Sequence, residues 1–224
     1  MSLVFKSIAG ILILITVIGL VLFLPGMSFN YPLAWIYIAM FFISQSIITI
    51  YLFLHDKKLL KSRLSVGPTT ETRGIQKIIQ AIAILMSFFT LLLSAFDYNK
   101  GWSEVPPWLS YASAIVIALA FVEVFFVYKQ NTWLSTSVKV QYGHKVISTG
   151  LYGIVRHPMY LGVTVLMLAT PSSLGSWWGM IPAIIFIITF AARAIDEENE
   201  LRENLPGYTD YCKKVRYRII PFVF

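Results

Sequence analysis

Apolar residues in this chain come in long unbroken runs separated by short polar links, rather than in the alternating or 3.6-residue patterns of half-buried elements. A helix needs about 20 apolar residues to cross the hydrocarbon core of a bilayer. Five runs approach or exceed that length: 4–24, 33–54, 75–96, 108–128 and 158 to about 195. The last is long enough to fold back on itself. Its turn composition at 170–176, TPSSLGS, predicts a hairpin of two helices, the first unusually short. The pattern predicts an all-α fold, a polytopic transmembrane helical bundle of about five to six membrane helices, the last two a hairpin, with cytoplasmic loops and a C-terminal helix. The first run ends in Pro25-Gly26 with no small-residue cleavage pattern, so it reads as a spanning helix rather than a signal peptide.

The links differ sharply in charge. From His55 to Lys77 the chain carries Lys57, Lys58, Lys61, Arg63, Arg73 and Lys77, whereas 25–32 is uncharged and 97–107 holds only Asp97, Lys100 and Glu104. Short cytoplasmic loops carry the Lys/Arg excess. The basic link is therefore expected inside, and threading the helices from it puts both termini, the 129–157 link and all three histidines on or beside the cytoplasmic face. Trp35, Trp102, Trp108, Trp133, Trp177 and Trp178 fall near expected helix ends, where aromatic rings settle at the membrane interface.

Composition agrees with this picture. With 57% hydrophobic residues, 13% charged residues and a mean hydropathy of +0.72, the chain is too apolar for an ordinary soluble domain. Its net charge of +7 sits in a few clusters between apolar runs, which suits topology signals and not a nucleic-acid surface. One cysteine, Cys212, leaves no intrachain disulfide and no Cys-rich metal site, and no metal is expected. No internal repeat is seen, so 1–224 reads as one membrane domain, with four N-terminal helices over 1–128 and a region carrying the chemistry over 129–224.

Two polar stretches stand out. In GHKVISTGLYGIVRHPMYLG, residues 143–162, Arg156-His157 precedes Pro158 at the expected start of the fifth helix. Proline suits a first helical turn, and the exposed N–H groups there, beside Arg156 and His157, would attract a carboxylate. A basic helix end placed only by topology accounts for the same residues. The second stretch is Arg193-Ala-Ile-Asp196-Glu197-Glu198-Asn199-Glu200, where the last apolar helix turns acidic in register. Arg193 and Glu197 are four apart on one face; a solvated helix end is the plainer account. Together the two stretches offer cationic groups for a carboxylate and carboxylates for an ammonium, which a zwitterionic amino acid requires. Glu123, inside the fourth run, is a third point of interest because ionisable residues within spans face a cavity or a partner.

At these residues the chain resembles the membrane-embedded methyltransferases typified by isoprenylcysteine carboxyl methyltransferase and the related phospholipid N-methyltransferases. The resemblance covers roughly the last 85 residues. It rests on His144 to Ser148 with Gly150 and Tyr152, then Arg156-His157-Pro158-Met159-Tyr160 and Gly162, then Arg193, Glu197, Glu198 and Leu201, then Pro206-Gly207-Tyr208 and the basic 215–218 stretch. It implies S-adenosyl-L-methionine as cofactor, held by cytoplasmic loops. Gln141, His144, Lys145, Val146, Ile147, Tyr152 and His157 to Tyr160 would line that cofactor. Glu197 would hold its amino group, with Glu198 beside it, and Arg193 would sit by the reacting group of the acceptor.

The expected activity is methyl transfer to a lipid-borne or prenylated acceptor, with carboxylate O-methylation favoured and Arg193 as its bidentate partner. An amine acceptor would need a base, and Glu197, Glu198 or His157 is nearest. Three other readings stand beside it: a phospholipid amine N-methyltransferase, a sterol-reductase-like enzyme using NADPH, and a transporter or scaffold. Because only the C-terminal part holds an interrupted helix pair, the site is expected to be built from the last third alone. The first two helices are then expected to serve packing or contacts with other membrane proteins.

Overall fold

The computed structural model describes residues 2–64, 71, 73–134 and 145–224. Among these, helices dominate, and the one ladder contact is an isolated parallel bridge between Val155 and Tyr217. Helix α1 spans Leu3–Phe23, with the Ser2 hydroxyl accepting the Phe5 N–H at 3.3 Å. Helix α2 spans Pro32–His55 and opens on proline, which has no N–H to leave unpaired. The short α3, Lys57–Arg63, starts where the Asp56 carboxylate accepts the Leu59 N–H at 2.8 Å. Helix α4 spans Gly74–Lys100 and stops at Gly101, whose φ of 63° is the left-handed conformation that ends a helix without a Cβ clash. Helices α5 (Pro107–Gln130), α6 (Pro158–Ser173), α7 (Met180–Asn204) and α8 (Tyr208–Lys214) complete the order.

Among the described residues, four helices, α1, α2, α4 and α5, are long and apolar enough to cross a membrane. Their outward residues are large and apolar, among them Leu12, Ile43, Ile47, Ile82, Ile115 and Leu119, as a hydrocarbon solvent demands. Inside, small residues such as Ala34, Ala95 and Ala120 are buried and let backbones approach closely. The chain is an integral membrane helical bundle. Helix α6, at 16 residues, is about 24 Å long and falls short of the hydrocarbon thickness.

The hairpin is present, with its turn four residues later than the composition predicts. Helix α6 carries through Thr170, Pro171, Ser172 and Ser173, and the chain turns from Leu174 through Gly175, whose φ is 74°. Pro171 stands inside the last turn and gives no N–H to the helix, while the Thr170, Ser172 and Ser173 hydroxyls donate back to helix carbonyls at 2.8, 3.2 and 2.7 Å. At this end the buried Asp97 clamps the turn. Its Oδ2 accepts the Ser103 hydroxyl at 2.6 Å, the Ser176 hydroxyl at 2.5 Å and the Trp178 N–H at 3.2 Å.

At the other end, α5 and α6 pack so closely that a Cβ on Gly162 would stand 2.8 Å from Val124 Cγ2 and overlap the Glu123 carboxylate. Glu123 therefore packs against Gly162, and neither carboxylate oxygen has a hydrogen-bond partner among the described residues. Arg73 and Gln76 of the α4 entry both hold Asp196 of α7, Arg73 Nη2 at 2.7 Å from Oδ1. That tie brings the acidic part of α7 beside the basic entry of α4.

Candidate active site

The Arg156-His157-Pro158 corner is built by the C-terminal tail. The Arg156 N–H donates to Tyr217 O at 2.9 Å and the His157 N–H to Arg218 O at 2.8 Å, fixing the chain just before α6 begins. Arg156 then turns its guanidinium onto Glu198 of α7, Nε to Oε1 at 2.6 Å, and donates from Nη1 to the Val215 and Arg216 carbonyls at 2.9 and 3.0 Å. His157 Nε2 stands 3.4 Å from the same Glu198 oxygen, near it but not aligned as a hydrogen bond. Arg202 and Arg218 reach the other oxygen at 3.3 and 3.2 Å. Burial alone would raise the Glu198 carboxyl; His157 and Arg156 outweigh it and hold the group at about 2.

The corner and the glutamates thus meet, but in a different way from the open cationic site expected from the sequence. Arg156 and Glu198 neutralise each other, at 7% and 1% exposure. The Tyr160 and Leu161 N–H groups of the first turn return to the His157 carbonyl at 3.0 and 3.1 Å. The pair is a buried brace between α6, α7 and the tail, and a lone carboxylate finds no free guanidinium there.

One position earlier on α7, Glu197 faces the other way. Its Oε2 accepts the Tyr160 hydroxyl at 2.5 Å, and Arg193 Nε donates to the same tyrosine oxygen at 3.0 Å. Tyr160 therefore bridges the two residues whose four-residue spacing the sequence singled out. The second arm of Arg193, Nη2, donates to Glu71 Oε1 at 2.6 Å. His157 stacks on Tyr160 with ring centres 5.3 Å apart and planes 7° from parallel, and Phe190 meets Tyr160 edge-on at 5.1 Å.

These side chains border a continuous cavity of about 900 Å³, at the upper end of the usual range for small-molecule sites. Lys145, Val146, Ile147, Tyr152, Arg156, His157, Pro158, Met159, Tyr160, Arg193 and Glu197 all line it. Glu198 lies behind that wall in its ion pairs, and Gln141 and His144 fall outside the described residues. Tyr152 is set by the 3₁₀ turn Gly150–Gly153. Its hydroxyl accepts from Asn131 Nδ2 at 2.8 Å and its carbonyl from the Tyr211 hydroxyl at 2.7 Å; burial pushes its phenol above the ordinary range. No cluster suited to a metal ion occurs among the described residues.

The cavity does not stop at the C-terminal third. It runs on between α1, α2 and α4, past Ser7, Gly10 and Leu14, then Gln45 and Thr49, then Gln80 and Ser87, while Arg63 of α3 borders it at the basic end. The first two helices pack in the core, as expected for them, and also line this cavity. A signal was available. Gln45 and Thr49 are four apart on α2, and a polar stripe inside an otherwise apolar span marks a face turned away from lipid.

Residues 108–206 match the phospholipid methyltransferase family. The matched stretch begins with α5 and contains the corner, the hairpin and both glutamates, so it covers one wall of the cavity and leaves α1, α2 and α4 outside. The phospholipid methyltransferase match, with four membrane-length helices, supports a membrane methyltransferase. The chain is also similar to mouse (Mus musculus) Delta(14)-sterol reductase TM7SF2, 34% identical over 87 residues, which are 37% of this chain and 20% of that protein. This chain therefore spans about a fifth of the length of the curated relative it matches.

Proposed function

We propose that the protein transfers a methyl group from S-adenosyl-L-methionine to a lipid-borne acceptor, on the cytoplasmic side of the membrane. The observation that carries this reading is the continuous cavity, charged where Lys145, His157, Tyr160, Arg193 and Glu197 converge and uncharged and mainly apolar where it runs between α1, α2 and α4, with Ser7, Gln45, Thr49, Gln80 and Ser87 as its polar members there. A water-soluble cofactor suits the first part and an acyl or prenyl tail the second. The donor set fits such a cofactor: Glu197 for an ammonium, Lys145 and Arg63 for a carboxylate or phosphate, and the buried Tyr152 for a flat apolar surface. The cofactor supplies an already activated methyl group, so the chain's own task is alignment and exclusion of water. Tyr160 and Arg193 hold Glu197 in one rotamer, and Phe190 and Phe186 close the wall behind them.

Isothermal titration of S-adenosyl-L-methionine against the detergent-solubilised protein tests the reading. Binding in the micromolar range is expected, weakened at least tenfold by Glu197→Gln and unchanged by Cys212→Ser, because Cys212 packs on the tyrosine cluster of α8, outside the cavity wall. Incubation with isotopically labelled cofactor and mass spectrometry of the lipid extract identifies the acceptor. The similarity to a sterol reductase favours one second reading, a nicotinamide-dependent reductase. Tight NADPH binding without S-adenosyl-L-methionine binding would decide for it.

A further inference from the structure

We infer that Arg63, at the end of α3 and outside the matched stretch, takes the carboxylate of the cofactor's amino acid moiety. The inference rests on the methyl-transfer reading. It gives to a helix of the N-terminal half a part of the cofactor site that the last third alone was expected to supply.

Arg63 is a half-buried cation with no acid of its own. All eleven Asp and Glu residues of the sequence lie within the described residues, and none of the ion pairs among these includes Arg63. Its Nε is shielded from solvent and has no hydrogen-bond partner among the described residues. The side chain is nonetheless held in place. The Asp56 cap and the buried Leu59 and Leu60 anchor α3, and the guanidinium lies over the Tyr128 ring, 5.0 Å from its centre, at the border of the cavity.

A cation is favoured at a helix C-terminus, but that preference is met equally well with the side chain in water. A shielded donor without an acceptor costs free energy, and a shielded charge without a counter-charge costs more. An anion in the cavity removes both costs. Contact with the aromatic ring is a cation–π one and uses no carboxylate, so the planar fork of the guanidinium remains for a bidentate partner.

The surroundings say which anion. An α-amino acid carries its ammonium and its carboxylate on one carbon, so the group that holds one must work close to the group that holds the other. Glu197 lines the same cavity and suits the ammonium. Tyr152 is near both side chains: burial first of all raises its phenol, Glu197 raises it further and Arg63 pulls it back. Lys145 also lines the cavity, but it is exposed, and its charge is screened by water and salt. Arg63 is the better shielded of the two and the one with fork geometry.

The test uses the full-length protein in detergent and titrates two cofactor forms calorimetrically. One is S-adenosyl-L-methionine; the other is its decarboxylated analogue, which keeps the ammonium, the sulfonium and the adenosine and lacks only the carboxylate. Wild type is expected to bind the complete cofactor about tenfold more tightly or better. In Arg63→Met the two forms are expected to bind about equally, through loss of affinity for the complete cofactor alone, and Arg63→Lys is expected to keep part of the preference. Unchanged affinity for the decarboxylated analogue shows that the variant is folded. An equal fall for both forms, an unchanged ratio in Arg63→Met, or equal binding by wild type overturns the inference and leaves the methyl-transfer reading standing. Dodecyl phosphate, a single-chain lipid anion, is expected to bind wild type and Arg63→Met alike; loss of that probe in the variant would give Arg63 to the acceptor and overturn the inference as well. A wild type that binds neither cofactor form overturns both.

Discussion

Glu197 and Glu198 are neighbours of the same type, yet one faces the cavity and the other braces the bundle. Successive helical positions point about 100° apart, so α7 must present them to different surroundings. Glu198 meets four basic side chains and is held at about 2, below its ordinary value. Its stabilisation is therefore complete above about pH 4.5 and is lost as the pH falls toward 2, a loss on the order of 3 kcal/mol. Thermal unfolding in detergent should show a melting temperature that drops between pH 5 and pH 3 in wild type. In Glu198→Gln it should be lower at pH 7 and flatter with pH. The sequence made both glutamates visible as a pair of acids against a basic flank. It held no means of dividing their roles, because the division depends on Arg156 arriving from 42 residues away. The partner of Arg193 was less legible still: Glu71 is 122 positions distant, in a link whose basic residues masked it.

Among the elements, the starts of the long helices were read to within a residue, while α4 and α7 run on past the apolar stretch to Lys100 and Asn204. The hairpin was legible from its turn residues, but its boundary was not. Serine and threonine hydroxyls that favour a turn in water bonded back to the helix carbonyls instead, extending α6 to Ser173. Helix α3 was missed because seven residues give too little pattern, whereas a C-terminal helix was expected and α8 is present. The seam between α5 and α6 yields a direct expectation. Gly162→Ala gains helix propensity of up to about 1 kcal/mol, but its methyl must displace Glu123 and Val124 from a filled interface, and overpacking of this kind costs about 1–3 kcal/mol. Chemical denaturation should show a net loss of stability. Because α6 carries His157 to Tyr160 at its start, affinity for S-adenosyl-L-methionine should fall in the same variant.

On the scale of the whole molecule, the cavity joins regions that the chain keeps far apart, from Ser7 to Tyr211. Its C-terminal wall was legible as a resemblance. Its N-terminal wall was not, since α1 and α2 look like plain membrane anchors until Ser7, Gln45 and Thr49 are seen to line one cavity. The apolar limb should respond separately from the polar part. Gly10→Phe places a ring where α1 borders the limb and is expected to raise KM for a long-chain acceptor about tenfold, by removing apolar contacts of the tail. Affinity for the water-soluble cofactor should stay unchanged. Loss of both together would mean that the limb and the polar end are one compartment rather than two.

The backbone hydrogen bonds from Arg156 and His157 to the Tyr217 and Arg218 carbonyls set an order on biosynthesis. A ribosome threads this bundle into the bilayer helix by helix, and all the long spans are in place while 215–218 still wait in the exit tunnel. The corner stays unlatched through that interval. A nascent chain is thus inserted before it is competent, and a translation product that stops short of Arg218 would reach the membrane with every span present and its latch missing.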